Sequence, residues 1–225
     1  MPPDNPARGT KLGRPARITQ EMIVAKAQAI VDAEGVQHLS MRRLSRELET
    51  TPMALYHYVR DRDALLLMLL ATKTESTPLP DFPAEPRAYL LAAALHLHHM
   101  LDGCPWLPEI LGSQELVGVV TLPAVEHVLE AAIRCGLDRH QAVELYQLLW
   151  SFVAGELIIN AGTPEPVQPS RRNRLLTTLP AEEYPHLAAL SEEWSELIAG
   201  DHVSRGLAGI IDGVLRDRSG LSREG

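Results

Sequence analysis

The side chains best suited to metal or acid–base chemistry gather in one run, His96-Leu97-His98-His99. Helical spacing puts His96 and His99 on one face, so two imidazoles could share a metal or flank a substrate. A metal site needs three or four ligands. Cys104, His127, His140, His186 and His202 are scattered, and none completes a close ligand motif. Covalent hydrolysis needs a nucleophile beside a base. The chain has no G-x-S-x-G, no phosphate-binding glycine loop and no Ser–His or Cys–His pairing readable from spacing. The expectation is no catalytic residue, no metal and no cofactor. An all-helical enzyme using the His96/His99 region is the enzymatic alternative.

A second set of residues suits a different chemistry, the recognition of nucleic acid. It lies in Leu39–Leu66, LSMRRLSRELETTPMALYHYVRDRDALL. Ser40 is a good N-cap, and Met41, Leu44 and Leu48 share one helical face. After a turn at Glu49 and Thr50, Thr51 caps a second helix with Pro52 in its first position. That helix is expected to run from Pro52 to Val59, with only Leu55 and Val59 turned inward. Met53, Tyr56, His57 and Tyr58 then face outward, followed by Arg60 and Arg62. Helix, turn and short exposed helix is the arrangement whose second helix enters the DNA major groove.

The features LSMRRLSRELE, then TPMALYHYV, then an acidic-basic turn and a leucine-rich helix, resemble the TetR family of bacterial transcriptional regulators. The helix Glu21–Glu34 before them fits as well. The match covers about 55 residues of periodic pattern. The resemblance implies site residues position by position. Thr51 and Tyr56 match phosphate-binding positions, and Pro52, Met53 and His57 match positions facing base edges. Tyr58 matches an aromatic touching the backbone, Arg62 a basic residue on phosphate, and Arg42 a position reaching a base edge or phosphate. The bland alternatives are a solvated Arg42 and a core-packed Tyr56 with a wet hydroxyl. The family usually has glycine where this chain has Glu49, so Glu49 is expected at positive φ with some strain.

The elements around this stretch follow. Residues 1–18 carry four prolines and the basic residues Arg8, Lys11, Arg14 and Arg17. They read as a flexible basic arm able to enter a minor groove through Arg14 and Arg17, or as a solvated tail. Thr19 opens a first helix with Ile23, Ala27, Ile30 and Val31 as its buried stripe, ended by Gly35. A helix from residue 61 or 62 to about Lys73 is apolar nearly all round and is expected to join head to body. Residues 74–86 (TESTPLPDFPAEP) hold four prolines and read as a linker. The DNA-binding domain is thus expected over 19–73 and a helical body over 87–218.

Charge divides along the same lines. The net charge is −8, yet residues 1–73 carry 11 Lys/Arg against 8 Asp/Glu, and residues 74–225 carry 10 against 21. A basic reading head on an acidic body confines DNA contact to one end. The polar, proline-rich start and the lack of a run of about 18 apolar residues point to a cytoplasmic protein without a membrane span. Cys104 and Cys135 read as reduced thiols, with a redox pair as the alternative.

The body reads as all-helical, so the fold class is all-α. Helices are expected at Arg87–Gly103, from Thr121/Pro123 to Gly136, and at Arg139–Asn160, the last capped by Asp138 with Gln141. Short pieces follow near Ala181–Leu190, then a final helix Asp201–Arg216. Its Gly206, Gly209 and Gly213 call for close helix–helix approach, either within one subunit or between two. The resemblance implies a homodimer through this helix and the one holding Trp150, which suits a palindromic double-stranded DNA operator. It also implies a small-molecule effector, with His96, Met100, Trp106, Leu122, Tyr146, Trp150 and Phe152 as candidate lining; each could equally be core. The expected function is a ligand-responsive repressor. The alternative is a regulator of the same fold controlled by a partner protein.

Overall fold

The structure is a computed structural model, described for residues 18–104, 106–107, 114–160, 175–198 and 200–221. Every regular element among them is helical. The chain divides into two compact units between Arg62 and Asp63.

The first unit is held by capped helices. Thr19 caps α1 (Gln20–Glu34), its hydroxyl accepting the Met22 N–H at 3.3 Å. Ile23, Ala27, Ile30 and Val31 are its buried residues, the predicted stripe. Gly35, at φ 89°, ends α1 and leads into a single 3-10 turn, Val36–His38. Ser40 caps α2 (Met41–Glu47) by accepting the Arg43 N–H at 3.2 Å. Thr51 caps α3 (Pro52–Tyr56) by accepting the Ala54 N–H at 3.2 Å. The second helix is thus shorter than the pattern suggested. The Tyr58 and Val59 N–H groups both bond the Leu55 carbonyl, at 2.9 and 3.1 Å. This tightened turn closes the helix and sends Val59, 2% exposed, into the core.

Helix α4 (Arg62–Ser76) begins at the division and runs on without a break. Leu65, Leu66, Leu69 and Leu70 are buried, so its apolar character reflects burial rather than an exposed face. Residues 74–86 were expected to separate the units, but the division lies upstream of them. They are also not the empty spacer their prolines suggested. Phe82 stacks 4.7 Å from both the Tyr89 ring and the His127 ring. Glu85 then caps α5 (Pro86–Leu101), accepting the Arg87 and Ala88 N–H groups at 3.0 and 2.6 Å.

The body is built on α5, which packs chiefly against α6 (Gln114–Arg134), with α7 (Arg139–Asn160) and the last helix, α10 (His202–Leu221), against the same core. Helix α6 runs through Pro123, which the sequence placed at a helix start. Its neighbours Thr121 and Ala124 are each 1% exposed, so burial on both sides of the proline overrides its poor helix propensity. The capping box at α7 is present in both directions. Asp138 N–H donates to Gln141 Oε1 at 3.0 Å, and Gln141 N–H to Asp138 Oδ1 at 2.9 Å. Two short helices, α8 (Pro185–Leu190) and α9 (Trp194–Ile198), precede α10.

One helix among the described residues, Arg139–Ile159, is long and apolar enough by length and composition alone to cross a membrane, although Glu144 and Glu156 interrupt it. Its stripe Ala142, Leu145, Leu149, Val153 and Leu157 is buried in the helical body, whereas Val143, Leu148, Ile158 and Ile159 of the same helix are exposed.

Candidate nucleic-acid interface

Helix α3 is anchored by one side chain. Leu55 is fully buried, whereas Met53 is 71%, Tyr56 49% and Tyr58 42% exposed. Thr51, Pro52 and His57 are exposed beside them. Five residues of helix therefore present an apolar and aromatic row to solvent. Single exposed apolar side chains are ordinary, but a contiguous row on so short an element marks a contact surface. The Thr51 hydroxyl accepts the Ala54 N–H on the cap, which leaves its proton able to donate. Arg42 stands exposed on α2.

The turn before α3 is a Schellman motif. Thr50 N–H bonds the Ser45 carbonyl at 2.9 Å, and Glu49 N–H bonds the Arg46 carbonyl at 3.1 Å. This geometry requires a left-handed residue at Glu49, and its φ is 51°. The strain expected from the missing glycine is therefore present.

Two arginines of this stretch serve the head itself. Arg43 grips Glu34 of α1 with both terminal nitrogens, Nη1 reaching Oε2 at 2.6 Å. The pair holds the Arg43 guanidinium above and the Glu34 carboxyl below their ordinary pKa values, first through the hydrogen bond they share. Arg62, expected on a DNA phosphate, turns inward instead. Its Nε donates to the Leu39 carbonyl at 3.1 Å and its Nη2 to the Val36 carbonyl at 2.9 Å. Arg14 and Arg17 lie outside the described residues.

In the body, the candidate effector residues separate. His96, Met100 and Trp106 are buried, at 7%, 4% and 2% exposure. Burial is the main cause that lowers the pKa of His96 and raises that of Tyr146. Tyr146, Trp150 and Phe152 are half-buried. Leu122 is 59% exposed and does not join the interior set. It sits on the outward face of α6, between Thr121 and Ala124, which face inward. Phe152 is committed to packing, since a methyl group added at Gly206 would lie 2.4 Å from its ring. The run His96–His99 splits: His96 and His98 are buried and His99 is exposed. Among the described residues no group of three or more His, Cys, Asp or Glu is placed to hold a metal.

One cluster escaped the sequence reading. Tyr89 donates its hydroxyl to Glu130 at 2.9 Å and lies 2.9 Å from His127 Nδ1. The Arg134 guanidinium stands 5.0 Å over the Tyr89 ring, and Phe82 covers Tyr89 and His127. Only Phe82, an aromatic isolated among prolines, could have signalled it.

A capped helix-turn-helix with an exposed second helix, joined by a continuous helix to an all-helical body, defines a helical DNA-binding regulator. Residues 79–217 match the family described as "Tetracyclin repressor-like, C-terminal domain". The chain is 29% identical to the HTH-type transcriptional repressor DrrR1 of Streptomyces coeruleorubidus, over 93% of this chain and 80% of that one. It also resembles the crystal structure of the Streptomyces coelicolor TetR family protein ActR in complex with actinorhodin. That match has TM-score 0.71 and 28% identity, over 89% of this chain and 96% of that one. BioQ with its double-stranded DNA operator shares the fold at TM-score 0.61 and 21% identity, over 88% and 99% of the two chains. This chain belongs to the TetR family of ligand-responsive transcriptional repressors.

Proposed function

We propose that the protein acts as a cytoplasmic homodimer that represses transcription from a palindromic operator until a small molecule releases it. Residues 19–73 bind DNA, and residues 87–218 bind the effector and dimerise. Met53, Pro52 and His57 meet base edges, with Thr51, Tyr56 and Tyr58 on the backbone. Arg42 reaches a base edge or phosphate, and Arg14 and Arg17 reach the neighbouring minor groove. The observation that carries this reading is the solvent-facing row on α3, held by Leu55 alone.

Dimerisation is supported by α7 and α10. Val143 and Leu148 on α7 are 49% and 50% exposed. They line an open groove of about 630 Å³ with Val214 of α10. Gly209 and Gly213 on α10 have no atom within 4 Å of an added methyl, so that face is free for another helix. Two reading heads related by a two-fold axis would match two half-sites. ActR, a relative, is seen with actinorhodin. Here a small molecule would enter the helical body beside His96, Met100, Trp106, Tyr146 and Trp150, and must prefer the non-binding state to act.

The test is fluorescence anisotropy on DNA from upstream of the protein's own gene, at two salt concentrations, with Tyr56→Ala and Arg42→Ala beside wild type. Binding is expected to be salt-sensitive, and each substitution should weaken it by at least about 1 kcal/mol. Wild-type affinity in Tyr56→Ala would remove α3 from the interface.

A further inference from the structure

Arg62 is the first residue of α4. A cation there opposes the helix dipole, which favours negative charge at an N-terminus. The position gains nothing from local helix formation, so the side chain must have another use. The structure shows that use within the reading head. The guanidinium reaches back 23 and 26 residues along the chain to two carbonyls, Leu39 at 3.1 Å and Val36 at 2.9 Å. These carbonyls flank the approach to α2. Val36 opens the 3-10 turn, and Leu39 closes it and precedes the Ser40 cap. Both residues are buried, at 8% and 2% exposure, so their carbonyls need partners. The Val36 carbonyl also takes the Leu39 N–H at 3.0 Å.

We infer that Arg62 is a positioning residue of the DNA-binding head, holding the turn that leads into α2 through its two carbonyl bonds rather than contacting DNA. The fork of the guanidinium is essential. Two donors at fixed spacing hold two carbonyls three residues apart, a geometry that one ammonium on a flexible stem does not reproduce. The consequence reaches α3. Ser40 starts α2, α2 ends in the Schellman turn at Glu49, and that turn sets where Thr51 begins α3. Loosening the start of α2 therefore loosens the placement of Met53, Tyr56 and Tyr58. A basic residue leading α4, read from sequence alone, suggests a phosphate contact; the clamp makes the opposite claim about its chemistry.

The inference rests on the DNA-binding reading for its functional part, and one variant separates the two roles. Arg62→Lys keeps the charge and loses the fork. Its operator affinity is measured against salt, on DNA selected from random sequence by the wild-type protein, beside Arg62→Ala. In the positioning role, Lys fails to rescue: both variants weaken binding, by about tenfold, with the wild-type salt slope retained. A phosphate contact predicts the reverse, with Lys near wild type and Ala lowering the slope by about one. Hydrogen exchange supplies a readout that needs no DNA. The Leu39 amide and those of α2 should exchange faster in Arg62→Lys, with the amides of α7 unchanged. If the wild type selects no DNA, the DNA-binding reading fails while the exchange result still decides the clamp. Rescue by Lys, or unchanged exchange at residues 39–47, overturns the inference. Should Arg62→Ala fail to fold, the Lys variant carries the test alone.

Discussion

Glu49→Gly should stabilise the reading head and tighten its hold on DNA at once. Glu49 is the left-handed residue of the turn between α2 and α3, at φ 51°. A side chain with a Cβ pays about 1–2 kcal/mol in that conformation. Glycine removes this strain but gives back about 0.5–1 kcal/mol through the greater freedom of its unfolded chain. The two hydrogen bonds of the motif, Thr50 to Ser45 and Glu49 to Arg46, involve only backbone and survive the change. The net expectation is a head more stable by about 0.5–1 kcal/mol. Glu49→Ala is the necessary control, because it removes the same charge and keeps the strain. Native-state hydrogen exchange of α1–α3 amides is the suitable assay, since all three tryptophans lie beyond residue 100 and report only on the body. Electrostatics separates from strain in the same pair. Both variants remove a negative charge next to α3 and should bind operator more tightly at low salt, whereas only glycine should stabilise. Equal exchange protection in Glu49→Gly and Glu49→Ala would refute the strain argument.

Other expectations follow from the body. His202 has both ring nitrogens against acceptors, Gly200 O at 2.9 Å and Glu156 Oε1 at 2.7 Å, an arrangement that only the protonated ring satisfies. The Glu156 hydrogen bond is the main cause raising its pKa from 6.5, so its stabilisation is complete below about pH 6.5 and fades as pH rises through the higher folded value. Thermal unfolding followed from pH 6 to 8 should show a steeper decline for wild type than for His202→Gln. Gly206→Ala should destabilise the body, because overpacking against Phe152 costs about 1–3 kcal/mol and exceeds the roughly 1 kcal/mol gained in helix propensity. The same change in a Phe152→Leu background should be neutral or stabilising by chemical denaturation. Gly209→Ala and Gly213→Ala meet no neighbour within the chain. Each should therefore favour the helix and yet weaken self-association in sedimentation equilibrium. Unchanged association would move the dimer contact off this face of α10.

Local chemistry made much of this legible. Ser40 and Thr51 define where α2 and α3 begin, each through a bond to an N–H three residues on, and Pro52 fits the first position of α3, where no N–H is needed. Glu49 stood out because a turn of that form leaves no freedom in φ. The Asp138–Gln141 box was readable for the same reason. What escaped detection depends on distance along the chain. Arg62 meets carbonyls more than twenty residues away, and nothing near it in sequence distinguishes a clamp from a phosphate contact. Phe82 lies among prolines that read as spacer, while its partners Tyr89 and His127 arrive from two different helices. Pro123 misled because propensity is a local quantity and burial of Thr121 and Ala124 is not. The three glycines of α10 separated for a related reason. Spacing shows that they share a helix, but only packing shows that Gly206 meets Phe152 and the other two meet nothing.

The central claim is that the exposed row on α3 reads operator DNA. Selection from random-sequence duplexes by wild type and by Tyr56→Ala, under one salt condition, tests it directly. The account predicts that wild type enriches an inverted repeat with half-sites about one helical turn apart, or a multiple of it, and that Tyr56→Ala enriches it weakly or not at all. Enrichment of the same sequence to the same degree by both proteins, or of none by wild type, would contradict it.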